Sequence, residues 1–281
     1  MLYFLTGTTA SGKSRIGHEI ALRRGLKILS LDSMSVYKNL NILSDKPTKS
    51  MQKEVQYFGI DIVDANINFS IFDYLAYLFE MQLDRLSQKE DILAVGGTGL
   101  YYNAIVNRFD LKSTDIEYRE YLESLNLNIL QSMFNVSANT ENNIDIKNKR
   151  RLIRALESKN IANSKNKLNF KIPSNKIGIF WDNPDAKRNI RNRTETMLNK
   201  GLVDEVINIR NPSRTIRQAI GFKSIQNKRN EHDLIDEINN KTYRLVKRQK
   251  TWFKKFENII YIKTNQDHII RLNMDKLINE K

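Results

Sequence analysis

The segment Gly7-Thr8-Thr9-Ala10-Ser11-Gly12-Lys13-Ser14 decides how this chain is read. It fits the eight-residue phosphate-loop spacing of two glycines followed by lysine and a hydroxyl residue. An apolar stretch, Leu2–Thr6, precedes it, and Lys13–Arg24 has helical spacing after it, with Ile16, Ile20 and Leu22 apolar. Strand, glycine turn and helix in that order are the context in which the motif means something. The turn wraps its N–H groups around a phosphate, and the helix adds the positive end of its dipole. Lys13 brings a mobile charge, and the Ser14 hydroxyl is suited to a magnesium ion. The loop residues Gly7 to Ser14 are therefore candidate diphosphate contacts, and Mg²⁺ is the expected cofactor. The motif does not say which phosphate compound is bound.

Outward from the loop, strands and helices alternate. Lys27–Leu31 reads as a second strand, Ile60–Val63 as another with Asp61 in or beside it, and Asp91–Val95 as a buried one. Phe72–Leu86 reads as one amphipathic helix, and a further helix follows Gly96-Gly97. Strands separated by helices imply an α/β fold, a P-loop NTPase-like parallel sheet flanked by helices. From 111 to 174 the strand signals vanish, and Ile116–Leu125, Ile129–Phe134 and Ile146–Glu157 look helical. This is the expected all-helical insertion domain. The catalytic core is then 1–110 with 175–281, resuming in strands at Lys176–Trp181 and Asn258–Ile262.

Asp32 stands just past the second strand. Ligands of open parallel sheets bind at the C-terminal strand ends, so Asp32 is expected in the loop's own crevice as a general base. The strand Asp91–Val95 instead ends in glycines, without the magnesium-binding carboxylate that many nucleotide hydrolases place there.

Composition narrows the classes. The 281 residues carry 46 Lys and Arg against 32 Asp and Glu, a net charge of +14, which favours a polyanionic partner. The excess is clustered. Lys147–Lys171 holds Lys147, Lys149, Arg150, Arg151, Arg154, Lys159, Lys165, Lys167 and Lys171 against Glu157 alone, and Lys241–Phe256 holds seven cations and no acid. There is no cysteine, which excludes disulfides, thiolate metal sites and a cysteine nucleophile. The three histidines have no metal-ligand spacing. No apolar run has membrane-spanning length, so a protein of the cytoplasm with no membrane contact is expected.

Further motifs go beyond the loop. They are Asp32-Ser33-Met34-Ser35-Val36-Tyr37-Lys38 with Asp45-Lys46-Pro47, Phe69-Ser70, and Gly96-Gly97-Thr98-Gly99-Leu100-Tyr101. Then come Arg151-Leu152-Ile153-Arg154-Ala155-Leu156-Glu157, Gly201-Leu202-Val203-Asp204-Glu205-Val206, Gln218-Ala219-Ile220-Gly221-Phe222-Lys223 and Lys247-Arg248-Gln249-Lys250-Thr251-Trp252-Phe253. In this order, with the phosphate loop, they resemble the tRNA dimethylallyltransferase (tRNA isopentenyltransferase) family of bacterial type. The chain departs from the family at Leu43-Ser44-Asp45-Lys46, where Gly-Thr-Ala-Lys is common.

The resemblance implies transfer of a dimethylallyl group from dimethylallyl diphosphate to N6 of the adenosine 3′ of the tRNA anticodon. On this reading the catalytic residues are Asp32, Thr98 and Lys13, and Arg193 and Arg248 join the loop on the diphosphate. Asp32, Ser33, Met34, Ser35, Thr98, Arg119, Arg150, Arg151, Leu152, Ile153, Arg154, Gln218 and Lys223 face the anticodon stem-loop, which the helical insertion grips. Thr98 has an alternative as a helix cap. A monomer is expected. Two other readings stay open on the residues alone: a small-molecule kinase with Asp32 as base, and a non-catalytic RNA-binding protein with a nucleotide switch.

Overall fold

Alternation along β1 (Leu2–Gly7) sets the layers. Tyr3 and Leu5 point to one face and Phe4 to the other, and all three are buried. The structure is a computed structural model that describes residues 1–107, 116–137, 145–160, 178–227 and 230–280. Among these residues β1 joins β2 (Lys27–Leu31), β3 (Tyr57–Phe58), β4 (Ile92–Gly96), β5 (Gly178–Asp182) and β6 (Ile259–Lys263). They form one parallel sheet in the order β3-β2-β4-β1-β5-β6. The expected parallel sheet is therefore present.

One face is closed by α1 (Lys13–Arg24) and α13 (Asp267–Asn279). Ile16, Ile20, Ile270 and Met274 pack there with Leu5, Ile28, Leu93 and Ile179. The other face is aromatic. Phe4 meets Tyr102 of α5 (Gly99–Asn107) edge-on at 5.0 Å, and Phe180 meets Phe253 of α12 (Glu231–Phe253) at 4.7 Å. Each such side chain contributes about 1.5–3 kcal/mol when fully buried. The α12 face that packs inward follows the helical period: Leu234, Ile238, Thr242, Val246, Gln249 and Phe253 are buried. With both layers in place, the C-terminal ends of β1, β2 and β4 open toward the same side, where the loop lies.

Two sequence expectations are corrected. Ile60–Val63 is not a strand. The paired residues are Tyr57 and Phe58, after which Gly59 (φ 78°) and Asp61 (φ 54°) turn the chain through left-handed conformations. Asp61 is held in that turn by Lys46 Nζ at 2.6 Å, and Val63 keeps a single bridge to Tyr37. The helix expected over Phe72–Leu86 is two helices, α3 (Ile71–Glu80) and α4 (Leu83–Lys89). Gln82 breaks it at φ 52°, and the change of direction brings Leu83 to full burial. At β5 the expected start, Lys176, lies outside the described residues.

The chain divides into two compact units, Met1–Arg108 with Phe170–Lys281, and Phe109–Asn169. The expected borders at 110/111 and 174/175 fall outside the described residues. In the second unit α6 (Ile116–Ser124), α7 (Leu127–Ser137) and α8 (Lys149–Asn160) surround a core of Leu122, Leu130, Phe134, Leu152, Ile153 and Leu156. No helix among the described residues is long and apolar enough to cross a membrane.

One carboxylate organises the strand-side loops. Glu205, in α10 (Leu202–Ile207), accepts the backbone N–H groups of Asn41 and Ile42 at 2.7 Å each and of Leu43 at 2.8 Å. It pins the segment that carries Leu43 and Ser44 into the cleft described below. Charged acceptors make the stronger hydrogen bonds. Replacement Glu205→Ala is expected to destabilise the protein by about 2–3 kcal/mol; a thermal melt indistinguishable from wild type would show the segment to be held by other means.

Candidate active site

The phosphate loop takes its shape from two left-handed residues. Ala10 has φ 58°, and Gly12, at the N-cap of α1, has φ 98°, a conformation that favours glycine. The loop is tied down from several sides. Thr8 N donates to Trp181 O at 3.1 Å, Asn183 Nδ2 to Ser11 O at 3.3 Å, and Asn189 Nδ2 to Ala10 O at 3.2 Å. Lys13 Nζ curls back to Thr8 O at 3.1 Å.

Two long helices bring cations to this loop. From α9 (Ala186–Asn199), Arg193 donates Nη1 to Thr9 Oγ1 at 2.6 Å and sets Nε 3.0 Å from Asp45 Oδ2. From α12, Arg248 faces the same cleft. Burial and the Arg193 guanidinium push the Lys13 ammonium down to about 8, against the opposite pull of Asp32 and Asp45. A site that crowds its own cations is built for an anion.

The cleft has a volume of about 450 Å³. Thr9, Lys13 and Arg193 make a cationic corner in its lining, and Arg248 lines it too. Asp32, Ser33, Met34, Thr98 and Gln218 line it as well, so the structure brings together the residues expected for catalysis. Asp32 Oδ1 accepts from Met34 N at 2.8 Å, which fixes the carboxylate's orientation. The Thr98 hydroxyl accepts from Ser33 N at 3.4 Å, while the Thr98 carbonyl accepts from Tyr101 and Tyr102 at the start of α5. The side chain therefore links the two loops at the sheet's end and does not cap α5. Beneath Asp32, Tyr74 Oη donates to Ser30 O at 2.6 Å and stacks on Tyr101 at 3.9 Å.

The rest of the lining was not read from the sequence. Leu43, Ile190, Met197, Ile220, Ile238 and Leu245 make an apolar wall, with Trp252 beside Gly99. A signal was there: Ile190, Arg193, Thr194 and Met197 in α9, and Ile238, Thr242, Leu245, Gln249 and Trp252 in α12, each recur at three- or four-residue steps on one helix face.

Other expected residues lie elsewhere. Ser35 is buried at 4% exposure and is not among the residues that line the cleft. Thr8 is fully buried, with its N–H given to Trp181 O, so it shapes the loop from within. Lys223 lies on a surface depression with Gln218, Arg214 and Arg217. In the second unit, Leu152 and Ile153, expected on RNA, are core side chains because α8 turns them into its apolar stripe. Arg119 and Arg154 stand 3.5 and 3.6 Å from the buried carboxylate of Glu157. Arg150 and Arg151 are exposed.

Ser14 is exposed at the head of α1, and among the described residues no group of three or more His, Asp or Glu is arranged to hold a metal ion. This donor set is compatible with a magnesium ion bound mainly through phosphate oxygens and water, to which the Ser14 hydroxyl would be the available side-chain donor.

Residues 35–256 match the protein family described as IPP transferase. The chain is 31% identical over 305 residues to the tRNA dimethylallyltransferase of Buchnera aphidicola subsp. Cinara cedri, covering 99% of this chain and 97% of that protein. It is 30% identical over 278 residues to the tRNA dimethylallyltransferase of Methylacidiphilum infernorum, covering 92% and 84%. The solved full-length tRNA isopentenylpyrophosphate transferase of Bacillus halodurans superposes with a TM-score of 0.70 at 27% identity, over 99% of this chain and 97% of its own.

The charge arrangement makes a prediction independent of these relatives. Inorganic pyrophosphate should bind, with its affinity falling as pH rises through about 8, where Lys13 loses its proton. Lys13→Arg keeps its charge throughout and is the reference for the anion's own ionisation. Calorimetric titrations between weakly acid and alkaline pH test this; identical profiles for both proteins would remove Lys13 from the anion.

Proposed function

The chain belongs to the IPP transferase family, and on that premise we propose that it transfers a dimethylallyl group from dimethylallyl diphosphate to N6 of the adenosine 3′-adjacent to the tRNA anticodon, releasing pyrophosphate. The observation that carries this reading is the composition of one cleft: a phosphate loop with Lys13 and Arg193, and Arg248 in the same lining; an apolar wall; and Asp32 with Thr98. A diphosphate suits the first part, a short hydrocarbon the second, and an aminated base the third. The relatives reported above are tRNA transferases by name and lend the kinase reading no support. The apolar wall is also a poor surface for a small polar acceptor.

The chemistry follows from these groups. The C1–O bond of the allylic diphosphate breaks, with its electron pair going to the pyrophosphate. Loop N–H groups, Lys13 and the two arginines stabilise the charge that develops there as preorganised donors. The lone pair of N6 forms the new bond to C1. A carboxylate of ordinary acidity cannot deprotonate an exocyclic amine in advance, so Asp32 accepts its hydrogen bond and takes the proton as the new bond forms. Ser14 would hold a magnesium ion, which would supply further neutralisation of charge on the leaving group. Ser33, Met34 and Gln218 are placed to meet the base, which must leave its stack to enter the cleft. On this reading the protein is a monomer acting in the cytoplasm.

The helical unit supplies stem-loop contacts through Arg151 and Arg150. Arg119 and Arg154 act more on Glu157 than on RNA, and Lys223 belongs to the core's basic surface.

The test is transfer of radiolabel from dimethylallyl diphosphate to unmodified tRNA, with magnesium and without ATP. Label is expected in the tRNA, and Asp32→Ala should lower its rate by roughly a hundredfold to ten-thousandfold with tRNA affinity retained. ATP turnover on a small molecule without labelled tRNA would overturn the reading. Replacing Arg151 with alanine should weaken tRNA binding and lower the slope of log affinity against log salt by about one. An unchanged slope would take α8 out of RNA recognition.

A further inference from the structure

Gln249 is a buried amide on a helix whose neighbours at Arg248 and Trp252 face the cleft. Its Oε1 accepts from the N–H of Thr9, in the phosphate loop, at 2.9 Å. Its Nε2 donates to the carbonyl of Gly97, in the turn after β4, at 3.0 Å. The two partners belong to different ends of the site. Thr9 also accepts from Arg193 through its hydroxyl. Gly97 precedes Thr98, whose hydroxyl accepts from Ser33, the residue after Asp32. One side chain thus joins the leaving-group end to the acceptor end.

We propose that Gln249 is a positioning residue whose two hydrogen bonds fix the span between the phosphate loop and the Gly97–Thr98 turn, and thereby decide whether the allyl group reaches the base or is lost to water. This rests on the prenyl-transfer reading above.

The residue type is what the chemistry requires. A carboxamide carries an acceptor and a donor on one planar group, so it satisfies an N–H on one side and a C=O on the other. Glutamate can accept from Thr9 but has no proton for Gly97. Methionine keeps the length and offers neither strong bond. Asparagine is one methylene shorter. The partner surface is equally specific: a Cβ on Gly97 would collide with Gln249 Nε2 and lie 2.9 Å from Gly7 O, so the amide packs directly on bare backbone.

Span matters because an ionising allylic diphosphate has two fates. The C1–O bond breaks with its electrons going to pyrophosphate. The carbon then takes the lone pair of N6, whose proton leaves to Asp32, or that of a water, whose proton is lost to give dimethylallyl alcohol. Reaction with the amine needs its nitrogen about 3–3.5 Å from the carbon. Water needs no such placement. The ratio of the two products therefore reports the span, whereas a mere loss of folded protein lowers both together.

The experiment uses the full chain as wild type, Gln249→Met, Gln249→Glu and Gly97→Ala, the last displacing the amide from the other side. Labelled dimethylallyl diphosphate and unmodified tRNA are supplied. Label in tRNA and in alcohol is counted, with kcat, both KM values and the melting temperature. In Gln249→Met the transfer kcat should fall by roughly a hundredfold and the alcohol-to-tRNA ratio rise about tenfold or more, with the KM for the diphosphate within about threefold of wild type. Gln249→Glu and Gly97→Ala should shift the ratio in the same direction. Wild-type ratios in all three, with transfer reduced only as the melting temperature falls, would make Gln249 a packing residue and overturn the proposal. A wild-type protein that labels no tRNA would instead bring down the prenyl-transfer reading, and this inference with it.

Discussion

Holding Lys13 beside Arg193 is electrostatically unfavourable, and the surrounding structure enforces it. The two cations share a half-buried corner in which the positive end of α1 adds to their field. No local sequence preference would bring them together; the long packed helices do. Ile190 and Ala186 of α9 lock against Val246 of α12, and Thr194 Oγ1 donates to Asn239 at 2.7 Å. That packing brings Arg193 and Arg248 into the lining of one cleft. Asp45 and the Thr9 hydroxyl then fix the direction of Arg193. An anion with several oxygens relieves the repulsion, which favours a multiply charged ligand over a singly charged one.

Legibility in the sequence follows the reach of each constraint. Glycine and lysine spacing fixes where β1 ends and α1 begins, and α1 runs from Lys13 to Arg24 as the spacing predicts. β2 is read equally well from five consecutive residues whose burial is nearly complete. Local rules fail where a distant partner decides. Asp61 is turned by Lys46, from fifteen residues away, and the strand expected there becomes a left-handed bend. Gln82 breaks an otherwise continuous helical pattern so that Leu83 can be buried. In the site, charged and glycine positions announce themselves, and Lys13, Asp32, Thr98, Arg193 and Arg248 share the cleft. The apolar wall does not, because a leucine facing a ligand and a leucine facing the core have the same periodicity. Gln249 is hidden for the converse reason: a glutamine in a helix ordinarily faces water.

The helical unit shows how charge counting alone misassigns residues. Its sequence reads as a dense basic face, yet Glu157 is 2% exposed and draws Arg119 and Arg154 toward it. A buried carboxylate needs compensation, and these arginines provide it. Their charge is partly committed within the unit. Exposed Arg151 keeps more of its charge for a phosphate in water. The net charge of the face is thus smaller in effect than the number of its cations, and on the proposed reading each arginine's share in RNA binding depends on how far it stands from Glu157.

The phosphate loop itself is indifferent to the reaction. Its N–H groups and Lys13 stabilise negative charge on phosphate oxygens whether a phosphoryl group is moving or a pyrophosphate is departing. What separates these chemistries is the surface next to the loop. Phosphoryl transfer needs a polar acceptor within reach of the terminal phosphate. Here the adjoining surface is instead Ile190, Met197, Ile238 and Leu245, which cannot satisfy a polar acceptor but can enclose a short hydrocarbon. Asp32 approaches from the other strand ends, across the Gly97–Thr98 turn. On the proposed reading, carbon rather than phosphorus is then the atom between the leaving group and Asp32. The same loop thereby serves alkyl transfer through a change of neighbours and not of its own residues.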